Sequence, residues 1–402
     1  MAYGFSGPDL DFLLSRDGSD SLGVADLLAL TDATLLADLP RVRAGAGMHA
    51  AAVVETIRLR RRALTKLPDR AAGWLFTDEA LQQASPWPVA LHRARRLLGA
   101  GLGVHDLTCS IGTDLAALHQ LAPDVTILGS DLDAVRLRMA AHNTGLPVVR
   151  ADARSRVSRS CVLYADPARR SAGAGRRITG LDTIPSVAEL DDVHHQERVV
   201  LRLPPGIDYD TLARPGEVEI VSLDGGARES VLWPQRFEVD GIRRRATVLG
   251  SGGVHWQITD ADGDGGDDTV AGAVGRYLID PDAAVVRAHL VRHWASRHGL
   301  RLLDSHLAYV TGDVVPDGVR AFEVLETGAL NEKTIAGWIR AAGVGTLEIK
   351  QRGTGIDPDQ FRRRFRKALS GSTSELATLV LARVGAGQMA YWCRAVRGPL
   401  SG

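Results

Sequence analysis

The stretch HDLTCSIGTDLAAL, residues 105–118, carries the pattern that decides the fold. A short apolar segment ends at Asp106, small residues follow, and a helical pattern begins near Thr113 or Asp114. This order predicts a strand, a tight turn and a helix, the first unit of a nucleotide-binding sheet. Gly112 lies in the turn, where the absence of a side chain would let the backbone come close to a ligand.

Strand-like and helix-like segments alternate from about residue 100 onward: GVHDLT, DLAALHQLA, VTILGSDL, DAVRLRMAAHN, PVVRADA and SCVLYADPA. Such alternation predicts an α/β domain with a largely parallel sheet, whose ligands bind at the carboxyl ends of the strands. Before this region, apolar residues recur at three- and four-residue spacing, which predicts helices. We therefore expect a helical N-terminal region (1–95), an α/β domain (96–270) and a C-terminal module of mixed helix and strand (271–402).

The composition narrows the class of protein. The chain has 402 residues, 45% of them hydrophobic, which is enough for a sizeable core in more than one domain. Lys+Arg and Asp+Glu balance at 48 each, which argues against a protein that coats nucleic acid by bulk charge. No run of about 18 apolar residues is present and the N-terminus lacks a basic segment, so we expect no membrane span, no signal peptide and a cytoplasmic location.

The three cysteines, Cys109, Cys161 and Cys393, are far apart and show no metal-ligand spacing. This usage predicts a reducing compartment and no bound metal. No segment of the sequence indicates an obligate protein partner, and we expect a monomer.

Two classes of cofactor could use the turn after the first strand. A dinucleotide enzyme needs G-x-G-x-x-G, but Thr108 and Ser110 stand where those glycines might sit, and Asp106 and Asp114 would repel a phosphate. S-adenosylmethionine carries an ammonium and a sulfonium, for which nearby carboxylates are favourable. Asp106 fits the methionine end of such a ligand.

Further acidic residues follow the next two strands. Asp131 ends the segment ILGSD, where a carboxylate can accept hydrogen bonds from both ribose hydroxyls. Asp152 follows PVVRA, where an acidic side chain can accept from the adenine amino group. Strand-end aspartates are common as helix caps, but three in this order favour S-adenosylmethionine.

The segment VLYADPARR, residues 162–170, ends a further strand at Asp166 and continues with Pro167. Amino-group methyltransferases carry a D/N-P-P-Y/F/R type tetrapeptide at this position. An exocyclic amine is a poor nucleophile while its lone pair is delocalised into the ring. The Asp166 carboxylate and the Pro167 carbonyl can accept both N–H groups, and the remaining task is to align the lone pair with the methyl carbon.

Taken together, DLTCSIGTD, SDLD, ADPARR and LRLPPGID resemble the class I S-adenosylmethionine-dependent methyltransferases with a C-terminal THUMP-like domain. The later segments SHLAYVTGD and LEIKQRG are similar to that family as well. The resemblance implies a helical N-terminal region, a Rossmann-like catalytic domain and a small α/β C-terminal module similar to RNA-binding THUMP domains. It also implies RNA, either tRNA or rRNA, as the methylated partner.

The resemblance places a cofactor site and a target site on numbered residues. Asp166, Pro167 and Arg169 would face the target. The cofactor would contact Gln83, Ser85, Asp106, Cys109, Ser110, Ile111, Gly112, Asp114, Asp131, Leu132, Asp152 and Ala153. This chain departs from the family at Ser110, where many relatives have Gly, and at Ala168-Arg169, which replace a Pro-aromatic pair. The guanidinium plane of Arg169 could stack on a flipped base instead.

Other functions stay open at this point. The chain could be a catalytically inactive RNA-binding protein of methyltransferase fold, or a methyltransferase acting on a small molecule or a protein. Methylation at pyrimidine carbon 5 needs a cysteine nucleophile, and Cys161 starts the strand that ends at Asp166, far from its active end. In the segment QFRRRFRKAL (360–369), cations surround Phe361 and Phe365, which predicts an apolar stripe with either a solvated or a phosphate-binding face opposite.

Overall fold

The computed structural model describes residues 3–159, 161–169, 183–195, 199–207, 214–237, 241–250, 252–266, 273–369 and 372–399. The chain forms two compact units. The first comprises Met1–Asp240 with Val248–Trp256, and the second comprises Gly241–Thr247 with Gln257–Gly402. The division of the sequence at residues 95 and 270 stays a prediction.

In the described part of the chain, six α-helices precede the first strand. They are α1 (Gly7–Leu13), α2 (Arg16–Asp26), α3 (Leu35–Ala46), α4 (Ala50–Ala63), α5 (Asp78–Gln83) and α6 (Trp87–Leu98). Side-chain caps fix several of their starts: Ser6 forms a capping box with Asp9, and Thr77 accepts from the amide of Ala80 at the start of α5. The predicted helical N-terminal region is confirmed.

A nine-stranded sheet contains the strands of the α/β domain. They are β1 (Gly103–Asp106), β2 (Ile127–Asp131), β3 (Val148–Arg150), β4 (Cys161–Ala165), β7 (Val199–Leu203), β8 (Glu217–Leu223), β9 (Gly226–Trp233), β10 (Arg244–Gly250) and β11 (Gly253–Thr259). The order is β11-β10-β8-β9-β7-β4-β1-β2-β3. β3, β2, β1, β4 and β7 run parallel, and β9 pairs antiparallel with β7 and β8.

Helices connect the parallel strands, as the alternating pattern predicts. α7 (Thr113–Leu121) follows β1, α8 (Ala134–Thr144) follows β2, and α9 (Val187–His194) precedes β7. A short antiparallel pair, β5 (Ala168–Arg169) and β6 (Thr183–Ile184), lies between β4 and α9. One continuous apolar core joins the N-terminal helices to the sheet, with members such as Leu10, Leu115 and Trp233.

The second unit is built on a seven-stranded sheet. Its strands are β12 (Tyr277–Ile279), β13 (Arg301–Leu302), β14 (Val310–Gly312), β15 (Arg320–Ala329), β16 (Val344–Arg352), β17 (Ser372–Val384) and β18 (Gly387–Arg397). They lie in the order β13-β14-β12-β15-β18-β17-β16. Its helices are α10 (Ala283–Arg287), α11 (Val291–Arg297), α12 (Glu332–Ala342) and α13 (Pro358–Arg363).

The predicted α/β fold class is confirmed, and the decisive strands end where the sequence indicates. β1 ends at Asp106, β2 ends at Asp131, and Asp166 directly follows β4. Parallel strands in register bring these three ends to one edge of the sheet. None of the helices that the structure describes has the length and apolar character of a membrane span.

Candidate active site

The turn after β1 uses its own backbone amides internally. The amide of Thr108 donates to Asp106 Oδ1 at 3.0 Å, that of Ser110 to Asp131 Oδ2 at 3.0 Å, and that of Gly112 to the Cys109 carbonyl at 2.8 Å. The amide of Cys109 donates to the carbonyl that precedes Asp131, at 2.9 Å. A phosphate-binding turn must present free amides to its ligand. The amides of Thr108, Cys109, Ser110 and Gly112 are therefore not available to a phosphate, which disfavours a dinucleotide at this part of the turn.

Gly112 is required both by its backbone conformation and by the close packing of α8 against it. It has φ +86° at the start of α7, in the left-handed region that favours glycine. A Cβ at this position would meet Thr144 Cγ2 at 2.7 Å and Ala140 Cβ at 3.4 Å, both on α8. The space that the missing side chain opens is thus occupied by α8, and Gly112 is absent from the cavity lining described next.

A cavity, here called the first cavity, opens at the carboxyl ends of β1, β2 and β4. It brings together most of the residues that the sequence singled out: Gln83, Ser85, Cys109, Ser110, Ile111, Asp114, Asp131, Leu132, Asp152, Ala153 and Asp166. A second cavity shares Gln83, Asp166, Ala168 and Arg202 with the first and adds Pro167 to its lining. Asp166 therefore stands where the two cavities meet.

The carboxylates after β2 and β3 have different surroundings. Asp131 accepts from the amides of Ser110 at 3.0 Å and Asp133 at 2.9 Å, and its carboxylate still borders the first cavity. Asp152 accepts from the amide of Arg154 at 2.8 Å and from its guanidinium at 2.7 Å, which lowers the pKa of the Asp152 carboxyl. A ligand amine at Asp152 must therefore share acceptors that Arg154 already uses.

Apolar and backbone groups lie beside these two carboxylates in the first cavity. Leu132 is 58% exposed and Ile184 is 57% exposed, although both are large aliphatic residues that border the cavity. Ala153 is buried, and His194 Nε2 donates to its carbonyl at 2.6 Å. An apolar surface beside a few hydrogen-bonding groups is the usual composition of a small-molecule binding site.

Asp106 lies beneath the turn and outside the cavity lining. It is 1% exposed, and burial, with added repulsion from Asp114 and Asp166, raises the pKa of its carboxyl well above the usual range. Asp114, in the first turn of α7, borders the cavity instead. Of these two carboxylates, only that of Asp114 borders the first cavity, and the assignment of Asp106 to the methionine end stays a prediction.

The DPAR segment has a fixed position at the end of β4. The Asp166 amide donates to Thr108 Oγ1 at 2.7 Å, which ties it to the turn after β1. Its carboxylate pairs with the guanidinium of Arg202, on β7. Pro167 is buried. The side chain of Arg169, and the basic segment that follows it up to residue 182, lie outside the described residues.

Three residues that sequence reasoning missed connect the two halves of the site. Arg93, on α6, is fully buried and donates to Asp114, to Glu229 and, at 3.1 Å, to Ser85 Oγ. Arg202 Nε donates to the same oxygen of Glu229 at 3.0 Å. The carboxylates outweigh burial and raise the pKa of both guanidinium groups, so both arginines are cations. In the sequence, Arg202 within the apolar segment VVLRL and Glu229 within GARESVLW could have indicated buried charged residues.

The cysteines lack the environment of a nucleophile. Burial raises the pKa of the Cys109 thiol well above its usual range, so the reactive thiolate is suppressed. Cys161 is the first residue of β4, at the opposite end of the strand from Asp166, as the sequence predicts. In the described part of the chain, no group of three or more His, Cys, Asp or Glu side chains is placed to hold a metal ion.

A parallel α/β sheet with a carboxylate-bordered cavity at its strand ends is the arrangement of a Rossmann-like nucleoside-binding domain, and the carboxylates favour a cationic cofactor such as S-adenosylmethionine. Two curated relatives agree. They are uncharacterised S-adenosylmethionine-dependent methyltransferases from two strains of Mycobacterium tuberculosis, CDC 1551 / Oshkosh and ATCC 25618 / H37Rv. Each is 46% identical over 373 residues, which cover 89% of this chain and 100% of the relative. The chain belongs to the S-adenosylmethionine-dependent methyltransferase family, and its cofactor is S-adenosylmethionine.

The fold has a solved counterpart. A crystal structure of a protein assigned as a methyltransferase from Porphyromonas gingivalis W83 superposes with a TM-score of 0.71 at 19% identity, covering 96% of this chain and 100% of that one. Residues 319–395, within the second unit, match the family model described as "THUMP domain-like". The Rossmann-like domain and the THUMP-like module expected from the sequence are both confirmed.

The first cavity suits this cofactor. Asp114 and Asp131 offer acceptors to its ammonium and hydroxyl groups, and Leu132 offers an apolar surface. Thr113 Oγ1 is buried at the cavity lining and has no hydrogen-bond partner among the described residues, so it is available to a ligand. When bound, S-adenosylmethionine supplies an electrophilic methyl group on its sulfonium.

Proposed function

We propose that this methyltransferase transfers a methyl group to an amino or ring nitrogen of an RNA nucleotide. The observation that carries the proposal is the position of Asp166 and Pro167: Asp166 borders both cavities, and Pro167 borders only the second. The first cavity then holds the cofactor, and the second receives the target.

Asp166 acts as a hydrogen-bond acceptor for the target nitrogen. Arg202 holds the carboxylate through Oδ2, which leaves Oδ1 for an N–H group of the substrate. Accepting that hydrogen bond concentrates the lone pair on the nitrogen, and the proton can leave after the methyl has been transferred. The rate enhancement then comes from alignment rather than from a strong base.

Each cofactor group has a proposed partner in the first cavity. We assign the ribose hydroxyls to Asp131, the adenine to Leu132, Asp152 and Ala153, and the methionine end to Asp114, with the turn residues Cys109, Ser110 and Ile111 beside the sulfur. Gln83 and Ser85, at and after the end of α5, close over the methionine end. Asp106 and Gly112 shape the turn from behind it.

The second cavity suits an anionic, planar target. Its lining combines the rigid apolar surface of Pro167, Leu203 and Pro204 with the guanidinium groups of Arg202 and Arg228. Arg228 is exposed, and its Nη2 donates to the Leu223 carbonyl at 3.1 Å. A base against an apolar surface with a phosphate near a guanidinium is how proteins bind single-stranded RNA.

The THUMP-like module supplies a second RNA-binding surface in this proposal. Phe361 and Phe365 are both 3% exposed, with ring centroids 5.1 Å apart, and pack into the core of the module. Arg363 and Arg366, from the same segment, are exposed. The apolar stripe is therefore docked as predicted, and the cations opposite it are available to phosphates of tRNA or rRNA.

Nucleoside analysis tests the proposal directly. Total RNA from cells with and without the protein is digested and compared by mass spectrometry. The proposal expects a nitrogen-methylated nucleoside that is lost with the protein and restored by the wild-type chain. Unchanged RNA together with a labelled protein or small molecule would assign the enzyme to another substrate class.

A further inference from the structure

The acidic groups on the two sides of the site belong to one ion chain, Asp114–Arg93–Glu229–Arg202–Asp166, which is buried at Arg93 and Glu229 and partly exposed at its two ends. Asp114 borders the cavity assigned to the cofactor, and Asp166 borders the cavity assigned to the target. The members come from α7, α6, β9, β7 and the end of β4, so the chain connects elements that are distant in sequence.

Glu229 is the centre of this chain. It is 1% exposed, and its Oε2 accepts from both Arg93 and Arg202, while its Oε1 has no hydrogen-bond partner among the described residues. A buried carboxylate between two guanidinium groups is held by attraction from both sides. Without its charge, Arg93 and Arg202 would be two buried like charges facing each other, and their mutual repulsion would displace both.

Displacement of the arginines would reach the reacting groups. Arg202 holds Oδ2 of Asp166, and Arg93 holds Oδ1 of Asp114, so each arginine fixes one carboxylate of the site. Methyl transfer needs the target nitrogen in line with the methyl carbon, and an error of about 1 Å in such an alignment can cost roughly 100-fold in rate.

We propose that Glu229 and Arg202 are positioning residues of the methyl transfer, which keep the target-side carboxylate Asp166 in a fixed place relative to the cofactor-side carboxylate Asp114. The inference rests on the proposed function, because it uses the assignment of the two cavities. It adds that a residue of the antiparallel strand β9, which touches neither the cofactor nor the target, sets the geometry of both.

The test compares Glu229→Gln and Arg202→Met with Glu219→Gln. Glu229→Gln keeps shape and an acceptor but removes the charge. Glu219 is a matched control: it is 0% exposed and accepts from Arg96 at 2.9 Å and Trp233 Nε1 at 2.9 Å, yet it borders neither cavity. Single-turnover transfer of labelled methyl from S-adenosylmethionine to total RNA is measured with calorimetric affinity for S-adenosylhomocysteine and with thermal melting.

We expect Glu229→Gln and Arg202→Met to lower the single-turnover rate at saturating RNA by about tenfold or more. In Glu229→Gln the RNA concentration for half-maximal rate and the affinity for S-adenosylhomocysteine should each change by less than about threefold, because Glu229 borders neither cavity. Arg202 borders both cavities, so Arg202→Met is compared by its rate at saturating RNA and cofactor alone. Glu219→Gln should melt at a lower temperature, because it disturbs a buried ion network. Its rate should stay within about twofold of the wild-type rate, because that network involves Arg96 of helix α6 and does not reach either cavity.

Two results would overturn the inference alone: a wild-type rate in both Glu229→Gln and Arg202→Met, or an equal loss of rate in Glu219→Gln. Arg202→Met decides if Glu229→Gln does not fold. A wild-type protein that binds S-adenosylhomocysteine but leaves every RNA unlabelled would instead overturn the RNA assignment, and the positioning role with it.

Discussion

Asp131 Oδ2 accepts a hydrogen bond from the backbone amide of Ser110 at 3.0 Å. This contact joins the end of β2 to the turn after β1 and thereby fixes the two segments that form the floor of the first cavity. Ser110 stands in the left-handed region at φ +48°, where a non-glycine residue is strained, and the Asp131 carboxylate stabilises that conformation. Asp131 thus supports the turn and also borders the first cavity.

Asp131→Ala should weaken binding of S-adenosylhomocysteine by about 1.5–3 kcal/mol, because charge-assisted hydrogen bonds to the ribose are lost. Isothermal titration calorimetry measures the change, and Asp124→Ala, an exposed aspartate before β2, is the matched control. Unchanged affinity in Asp131→Ala would remove the ribose assignment. If the protein bound NAD and did not bind S-adenosylhomocysteine, the assignment of the turn after β1 to an S-adenosylmethionine site would be contradicted.

Gly112→Ala should lower the free energy of unfolding by about 1–3 kcal/mol, since it adds a methyl group to a close contact in a left-handed conformation. Urea denaturation measures the loss. Gly112→Ala with Thr144→Ser should recover part of it, because serine removes Cγ2 but retains the hydroxyl that donates to the Ala140 carbonyl at 2.8 Å. Equal stability of Gly112→Ala and the wild type would show that the contact with α8 is unimportant.

The ends of β1, β2 and β4 could be predicted because an aspartate comes at the end of each short apolar segment. Asp131 and Asp166 needed only the pattern and the rule that parallel strands end at one edge. The role of Gly112 was harder to predict, because the sequence does not show that α8 fills the space beside it. A glycine required for a positive φ cannot be distinguished in the sequence from a glycine required for close approach of a ligand.

The ion chain could not be predicted from sequence. Arg93 and Glu229 are 136 positions apart, and their pairing depends on how β9 is inserted antiparallel beside β7. The sequence around a charged residue in an apolar strand does not show which residue is its ion-pair partner. It does indicate that the partner exists, since an unpaired buried charge is too costly to be retained.

Stability should depend on pH through His105. Burial lowers the pKa of this imidazole to about 4, with the nearby His194 adding to the effect, while its ring nitrogens contact Ser158 Oγ at 2.7 Å and Ser130 Oγ at 3.0 Å. Between about pH 6.5 and 4 the unfolded chain binds a proton that the folded chain does not, so the free energy of unfolding falls as the pH falls, by about 3 kcal/mol from this group. His105→Gln should show a shallower decline than the exposed control His119→Gln in urea titrations. Parallel pH curves for the two variants would contradict this account.

RNA affinity should depend on the exposed cations of the THUMP-like module. Charge reversal at Arg363 and Arg366 should weaken binding and flatten the plot of log affinity against log salt, because fewer counterions are released from the RNA. Fluorescence titrations with labelled RNA at several salt concentrations measure the slope. Reversal at Arg301 and Arg340, two exposed arginines elsewhere on the same unit, is the control. An unchanged slope in the first pair would make that face a solvated surface only.

The role of Asp166 separates cofactor binding from methyl transfer. Asp166→Ala should leave the affinity for S-adenosylhomocysteine nearly intact and lower the rate of transfer to RNA by roughly 100-fold or more, because the acceptor acts chiefly in the transition state. Asp166→Asn should be milder, since its amide oxygen still accepts one hydrogen bond. Single-turnover transfer of labelled methyl to total RNA, paired with calorimetry on each variant, measures both quantities. Loss of transfer with retained affinity is the predicted result, and a wild-type rate in Asp166→Ala would contradict methylation of a nitrogen held by this carboxylate.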